Sequence, residues 1–549
     1  MVGRFPAMTP SGTPSRRQFV EMGGAALLGF VARPEALQAG RYDFIIRGGT
    51  VFDGSGTPGR ELEIAVRRGR IVAIGKRLTG ATADVLNAAG LAVAPGFIDI
   101  HSHGDGNLFT DPRGESLIRQ GVTTAVVGQD GSSRVPNRSG ETSVLALRRR
   151  FEALSTAVNV STMVGAGTIR RVVVGESDRP ATPAELRRMV GLVETALATG
   201  ACGVSSGLEY APGAFATQAE LTRLCRPLAW RRLPYSTHLR NEDDRLLEAI
   251  DEAIAITRAA GCPLHLAHLK TGGERNWAKI DEVFARIARA RRAGLDVTFD
   301  RYPYVAWATG LTNLFPLWSL DGGTDSFLTR LRDTSVAPRI RIEALAKVAL
   351  VGGWDKVQIS DVQADEDKPS VGRRVDDWAR SRSEDPYDAA VGLLLRNRAA
   401  VGNVVFAMSE ANLERFLAHP DAMVCSDGGS FATEGPARSG HPHPRGLGTF
   451  PRVLGRYVRE RKVLTLEQAI RKMTLMPARR LRLTDRGRIA VGAAADLVLF
   501  DPGTVSDRAT FADPFQYPVG VPHVVVNGVV ALRDGVRVGN PAGKGLRPL

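Results

Sequence analysis

Two histidines separated by one residue, in Asp99-Ile100-His101-Ser102-His103, are the first residues whose type and spacing suggest chemistry. The apolar run before them predicts a strand, and strand residues two apart share a face, so both imidazoles point the same way. Farther along, His238, His268 and Asp427 each stand at the end of a short apolar stretch. Imidazoles and a carboxylate brought together from strand ends suit a divalent cation. His265, three residues before His268, is read as facing the other side of its strand. His419, His441, His443 and His523 fall in loops or outside these strands and are read as structural or surface histidines.

The elements that must position these groups alternate between apolar strand and amphipathic helix, the pattern of a parallel sheet. Eight strands are predicted, at 96–101, 123–127, 160–165, 202–206, 234–238, 263–268, 296–300 and 423–426. Helix starts are well marked: Thr182-Pro183-Ala184-Glu185 and Thr465-Leu466-Glu467-Gln468 both read as capping boxes. Eight such units predict an α/β fold, a (β/α)8 barrel over residues 95–485 with its chemistry at the carboxyl ends of the strands. Residues 305–370 break the alternation and read as an insertion, a lid over the barrel mouth. Short β patterns at 41–94 and 486–549 predict one small β-sandwich closed by both ends of the chain. Ser15-Arg16-Arg17-Gln18-Phe19-Val20 precedes a short, weakly apolar stretch, which is the twin-arginine export pattern. Residues 1–40 are therefore expected to be a cleaved leader, and the mature protein to be periplasmic or secreted.

The chain has 549 residues, 43% hydrophobic and 24% charged, which excludes disordered and collagen-like classes. No apolar run reaches the ~18 residues of a membrane span, so no stable membrane insertion is expected. With 72 Lys+Arg against 58 Asp+Glu the net charge is +14. The basic residues are spread out with no aromatic-interleaved block, which argues against nucleic acid and leaves a merely solvated basic surface, ahead of a positive field that gathers carboxylate substrates. The four cysteines, Cys202, Cys225, Cys262 and Cys425, are too scattered for a disulfide framework and read as buried thiols.

Several segments, in order along nearly the whole mature chain, resemble those of N-acyl-D-amino-acid deacylases (D-aminoacylases) of the amidohydrolase superfamily. They are Ala94-Pro95-Gly96-Phe97-Ile98-Asp99-Ile100-His101-Ser102-His103, Gly121-Val122-Thr123-Thr124, Ser206-Gly207-Leu208-Glu209-Tyr210-Ala211-Pro212-Gly213 and His238-Leu239-Arg240-Asn241-Glu242, followed by His268-Leu269-Lys270, Tyr302-Pro303-Tyr304, Ser426-Asp427-Gly428, His443-Pro444-Arg445 and Ala495-Asp496-Leu497. The resemblance implies a metal-dependent barrel with a small β-sandwich, zinc as the cofactor in one or two ions, and hydrolysis of a small amide substrate bearing a carboxylate. It implies His238 and His268 as the tighter zinc ligands and His101 and His103 as a second, weaker position. It implies Asp427 as the catalytic acid/base, and Lys270, Tyr210, Tyr302 and Arg438 around the substrate.

The chain departs from that pattern after the second strand, where family members usually present a cysteine in an Asn-Cys-Gly setting. Here Gln129-Asp130-Gly131 offers a carboxylate, a harder ligand that selects less strongly for zinc. Asp130 bridging two cations is the expectation drawn from it. Other readings stay open: a dipeptidase, or a cyclic-amide hydrolase of the dihydroorotase or hydantoinase type, although strand four lacks the lysine such relatives carboxylate. A catalytically inactive binding protein on the same scaffold is another. Gly203-Val204-Ser205-Ser206-Gly207 satisfies G-x-S-x-G, but a nucleophile elbow needs a sharp turn at the serine and Ser205 falls inside a strand.

Overall fold

Val122–Val127 reads Val-Thr-Thr-Ala-Val-Val and is buried at every position, as a parallel strand covered on both faces must be. In the computed structural model, which describes residues 42–80, 82 and 84–548, it is the second of eight such strands. In chain order they are β1 (Phe97–Asp99), β2 (Val122–Val127), β3 (Asn159–Thr162, continued by Val164–Gly165), β4 (Val204–Gly207), β5 (Tyr235–His238), β6 (Leu264–Leu266), β7 (Val297–Arg301) and β8 (Ala422–Val424). Each pairs in parallel with the next. The ring closes where Asp427 N–H donates to His101 O (2.8 Å) and His103 N–H donates to Gly428 O (2.9 Å), joining the ends of β8 and β1. The expected leader lies outside the described residues.

Outward side chains of the strands, such as Val122, Val204, Leu264 and Val297, pack against helix residues Leu221, Ile250 and Val283 in the main core. Inward ones, including Ile98, Val126, Met163 and Met423, fill the barrel below its mouth. The helix Pro183–Ala198 begins with the capping box expected of it, Thr182 Oγ1 accepting from Glu185 N–H while Glu185 accepts from Thr182 N–H. All four cysteines are buried and free. Among the described residues no helix is long and apolar enough to cross a membrane.

Both ends of the described chain meet in a β-sandwich. Ala92–Pro95 pairs antiparallel with Leu497–Phe500 inside a seven-stranded sheet, and a four-stranded sheet lies against it. Ile46, Val66, Ile71, Leu497 and Val525 form their shared core. The segment interrupting the barrel between β7 and β8 runs farther than residue 370. Trp307–Gly310, Gly402–Val405 and Val357–Asp361 form an antiparallel sheet. Four helices, from Thr324–Arg332 to Pro386–Arg396, pack around Phe327, Ile340, Ile359 and Leu393, a core separate from that of the barrel.

Candidate metal centre and active site

A cavity of about 400 Å³ opens at the carboxyl ends of the strands. His101 and His103 follow β1, Asp130 follows β2, Tyr210 follows β4, His238 ends β5, His268 and Lys270 follow β6, and Asp427 follows β8. Asp130 Oδ2 lies 3.4 Å from His101 Nε2, 3.3 Å from His103 Nε2 and 3.3 Å from His268 Nε2. Asp427 Oδ1 is 3.5 Å from His101 Nε2 and 3.1 Å from His103 Nε2. His238 Nδ1 is 3.0 Å from His268 Nε2. Six of the residues expected to meet therefore do so.

Their backbone is unusual. Asp130, His268 and Asp427 have φ of 50°, 33° and 50°, the left-handed region that non-glycine residues seldom enter. Each such conformation costs about 1–3 kcal/mol and persists where the surroundings over-determine it. Around Asp130 that determinant is visible. Ser205 Oγ donates to Gly128 O (2.6 Å) and accepts from Gly131 N–H (3.1 Å), bracketing the turn that carries Asp130. A Cβ on Gly207 would sit 2.2 Å from Asp130 O, so only glycine lets β4 approach the turn. The G-x-S-x-G serine is thus buried within β4 and holds a loop; it is not a nucleophile at an elbow.

The electrostatics leave a cation as the missing charge. Burial opposes ionisation of Asp130, yet His101 and His268 hold its carboxyl well below the usual range. Partial desolvation opposes protonation of His103, yet Asp130 and Asp427 outweigh it and lift that imidazole to about 9. Without a metal, protons must supply the positive charge these carboxylates require. Both ring nitrogens of His101, Nε2 of His238 and Oδ1 of Asp130 are buried with no hydrogen-bond partner. Such atoms are costly unless satisfied. Single ligand atoms from His101, Asp130, His268 and Asp427 converge within 4.8 Å, as do those of His238, Glu242 and His268. The residues therefore fit a divalent cation, with nitrogen and carboxylate donors only.

The expected substrate contacts divide. Lys270 and Tyr210 line the cavity. Lys270 Nζ is already paired, 2.6 Å from Glu242 Oε2 and 2.7 Å from His268 Nδ1. Tyr210 stacks at a tilt on His238, with ring centroids 4.7 Å apart. Tyr302 is fully buried behind the lining, its hydroxyl unpaired and the Arg445 guanidinium 4.7 Å from its ring centre. Arg438 is a correction. It is exposed, outside the cavity, donating to Thr433 O and lying over Phe515. The arginine in the cavity is Arg445, whose Nη1 donates to Asp427 Oδ2 at 2.6 Å. Burial opposes the Asp427 carboxylate, but Arg445, His268 and His101 hold its carboxyl well below the ordinary value. Glu209 and Glu242 also line the cavity, and both stand in segments that resemble the deacylases. The i,i+4 spacing of Glu242 from His238 was the available signal. His265 does not turn away from the site's supporting layer: it is buried, and its Nε2 lies 2.7 Å from Asp300 Oδ2.

The interrupting segment supplies one wall, through Trp307, Ala308, Thr309, Asn313 and Lys347. Thr309 Oγ1 donates to the Tyr210 hydroxyl (3.2 Å), Asn313 Nδ2 donates to Glu209 Oε2 (3.1 Å), and Lys347 pairs with Asp243.

Comparison with known proteins agrees with this geometry. Residues 84–309 and 435–532 match the amidohydrolase family. The chain is 37% identical over 504 residues to an N-acyl-D-glutamate deacylase of Alcaligenes xylosoxydans xylosoxydans, covering 89% of this chain and 93% of that one. It is 34% identical over 519 residues to a D-aminoacylase of the same organism, covering 92% and 97%. The crystal structure of an N-acyl-D-glutamate deacylase from Bordetella bronchiseptica, complexed with zinc and a phosphonate mimic of the tetrahedral intermediate, superposes with a TM-score of 0.79. It is 35% identical, and the match covers 92% of this chain and all of that one. With the strand-end histidines, the buried aspartates and the sandwich closed by both chain ends in place, the chain belongs to the N-acyl-D-amino-acid deacylase family of amidohydrolases.

Proposed function

We propose that this protein hydrolyses the amide bond of N-acyl-D-amino acids with a divalent cation, zinc foremost, held by His238, His268 and Asp130 and, at a second position, by His101 and His103 with Asp130. The observation that carries the reading is the convergence of these five side chains with Asp427 at a cavity that also holds Lys270 and Arg445. When bound, the cation supplies Lewis acidity and lowers the pKa of a water from 15.7 towards about 7. Asp427 accepts the proton of the attacking water and returns it to the departing amine, as base and then acid. Arg445 lies against Asp427 and is placed to take a substrate carboxylate in a charge-assisted pair. Lys270, paired with Glu242 beside His268, adds positive charge to the cavity lining, and Tyr210 forms part of the wall against His238.

Metal quantification with a panel of N-acetyl-D- and N-acetyl-L-amino acids and dipeptides tests this reading. Stoichiometric metal, chelator-sensitive release of the free D-amino acid, and its loss in Asp427→Asn with metal retained are the expected results. A metal-free protein, or turnover confined to dipeptides, overturns it.

We also propose export by the twin-arginine route, on the strength of Arg16-Arg17 and the weakly apolar stretch that follows. Fractionation of cells carrying the wild type and an Arg16→Lys, Arg17→Lys variant tests it, with retention of the variant in the cytoplasm as the expected outcome.

A further inference from the structure

Asp300, on β7, is fully buried and outside the cavity lining, so it touches no substrate. Its carboxylate nonetheless meets residues of two other strands. Oδ1 accepts from the backbone N–H of His268 at 2.6 Å, at the residue forced into the left-handed region. Oδ2 lies 2.7 Å from His265 Nε2 and 3.7 Å from His101 Nδ1. His265 Nδ1 lies 2.8 Å from Thr298 Oγ1.

The tautomers follow from these partners. Both Asp300 oxygens serve as acceptors, Oδ1 of the His268 N–H and Oδ2 of a proton on His265 Nε2. With that proton on Nε2, the other ring nitrogen of His265 faces the Thr298 hydroxyl. On the site side, His101 Nε2 faces Asp130 and Asp427, so a cation there requires the proton on Nδ1. That nitrogen has no hydrogen-bond partner, and Asp300 is the carboxylate beside it. A ligating histidine whose other N–H meets a carboxylate is fixed in tautomer and orientation and becomes a stronger donor.

We infer that Asp300 is a positioning residue of the cation site: one oxygen holds the strained His268 backbone and the other faces His101 Nδ1 at 3.7 Å, favouring the tautomer with its proton there, while His265 and Thr298 hold Asp300 in turn. The inference rests on the cation reading above and adds to it the residue that orients two ligands from different strands.

The test compares wild type with Asp300→Asn and His265→Gln. The first keeps an oxygen acceptor for His268 N–H and removes the charge. The second removes the imidazole and keeps an N–H donor, outside the site. Chelator competition gives zinc affinity, visible absorption of the cobalt-substituted protein reports ligand geometry, and kinetics separate kcat from KM. In Asp300→Asn we expect a ten- to hundredfold loss of zinc affinity, an altered cobalt spectrum, and lower kcat with KM within about threefold. In His265→Gln we expect a smaller loss in the same direction. Wild-type affinity and an unchanged cobalt spectrum in Asp300→Asn overturn the inference alone; should that variant not fold, the same result in His265→Gln does so. A wild-type protein that binds no cation overturns the cation reading and this inference together.

Discussion

Arg445 and Arg438 stand seven positions apart in one irregular loop and helix start, and only the first reaches the cavity. Arg445→Ala removes a buried charge-assisted contact of about 1.5–3 kcal/mol, so KM for an N-acyl-amino acid should rise at least about tenfold. Arg438→Ala, exposed and remote, should leave KM within about twofold; steady-state kinetics on both variants separates the two assignments. The loop explains why the resemblance pointed to Arg438. It has neither a two- nor a 3.6-residue period, so nothing in it says which cation turns inward. The histidines were legible for the opposite reason: imidazoles just beyond apolar strands have few other uses. Backbone strain at Asp130, His268 and Asp427 left no trace, since their residue types do not demand left-handed φ. Asp300 was hidden too, because a lone aspartate inside a strand carries no motif.

At the scale of elements, strands and helix caps were readable because buried parallel strands and capping boxes write local patterns. The end of the interrupting segment was not. Its helices Val375–Ser381 and Pro386–Arg396 and its strand Gly402–Val405 imitate a helix–strand repeat of the barrel, while pairing elsewhere. Because that segment has its own core, a cavity cut there should loosen it before the barrel. Phe327 is fully buried in that core, and Phe327→Ala should cost about 3–5 kcal/mol. Limited proteolysis should then cleave within residues 307–405 while the remainder persists as a resistant fragment. Simultaneous digestion of both would contradict the separateness of the two cores.

For the whole molecule, a net charge of +14 should draw anionic substrates from a distance. Raising salt from about 0.01 M to about 1 M shortens the screening length from ~30 Å to ~3 Å. The expected result is a fall in kcat/KM of about threefold or more with kcat nearly constant. Stability should carry a pH signature from Lys472, a buried amine that donates to His419 O and Ala422 O. Burial holds it at about 8, against about 10.4 in an unfolded chain. Between those values the unfolded chain keeps the proton and the folded one has lost it, so stability rises with pH across that window. The rise is at most about 3 kcal/mol, and it should vanish in Lys472→Met when urea midpoints are compared at about pH 7.5 and 10.5.

A cavity whose proposed cation ligands all belong to the barrel, and one of whose walls belongs to a separately cored segment joined to it by Thr309, Asn313 and Lys347, divides reactivity from fit. Evolution could redraw that wall, residue by residue or by wholesale replacement, and so change which molecules are admitted while the bond-breaking apparatus stays as it was.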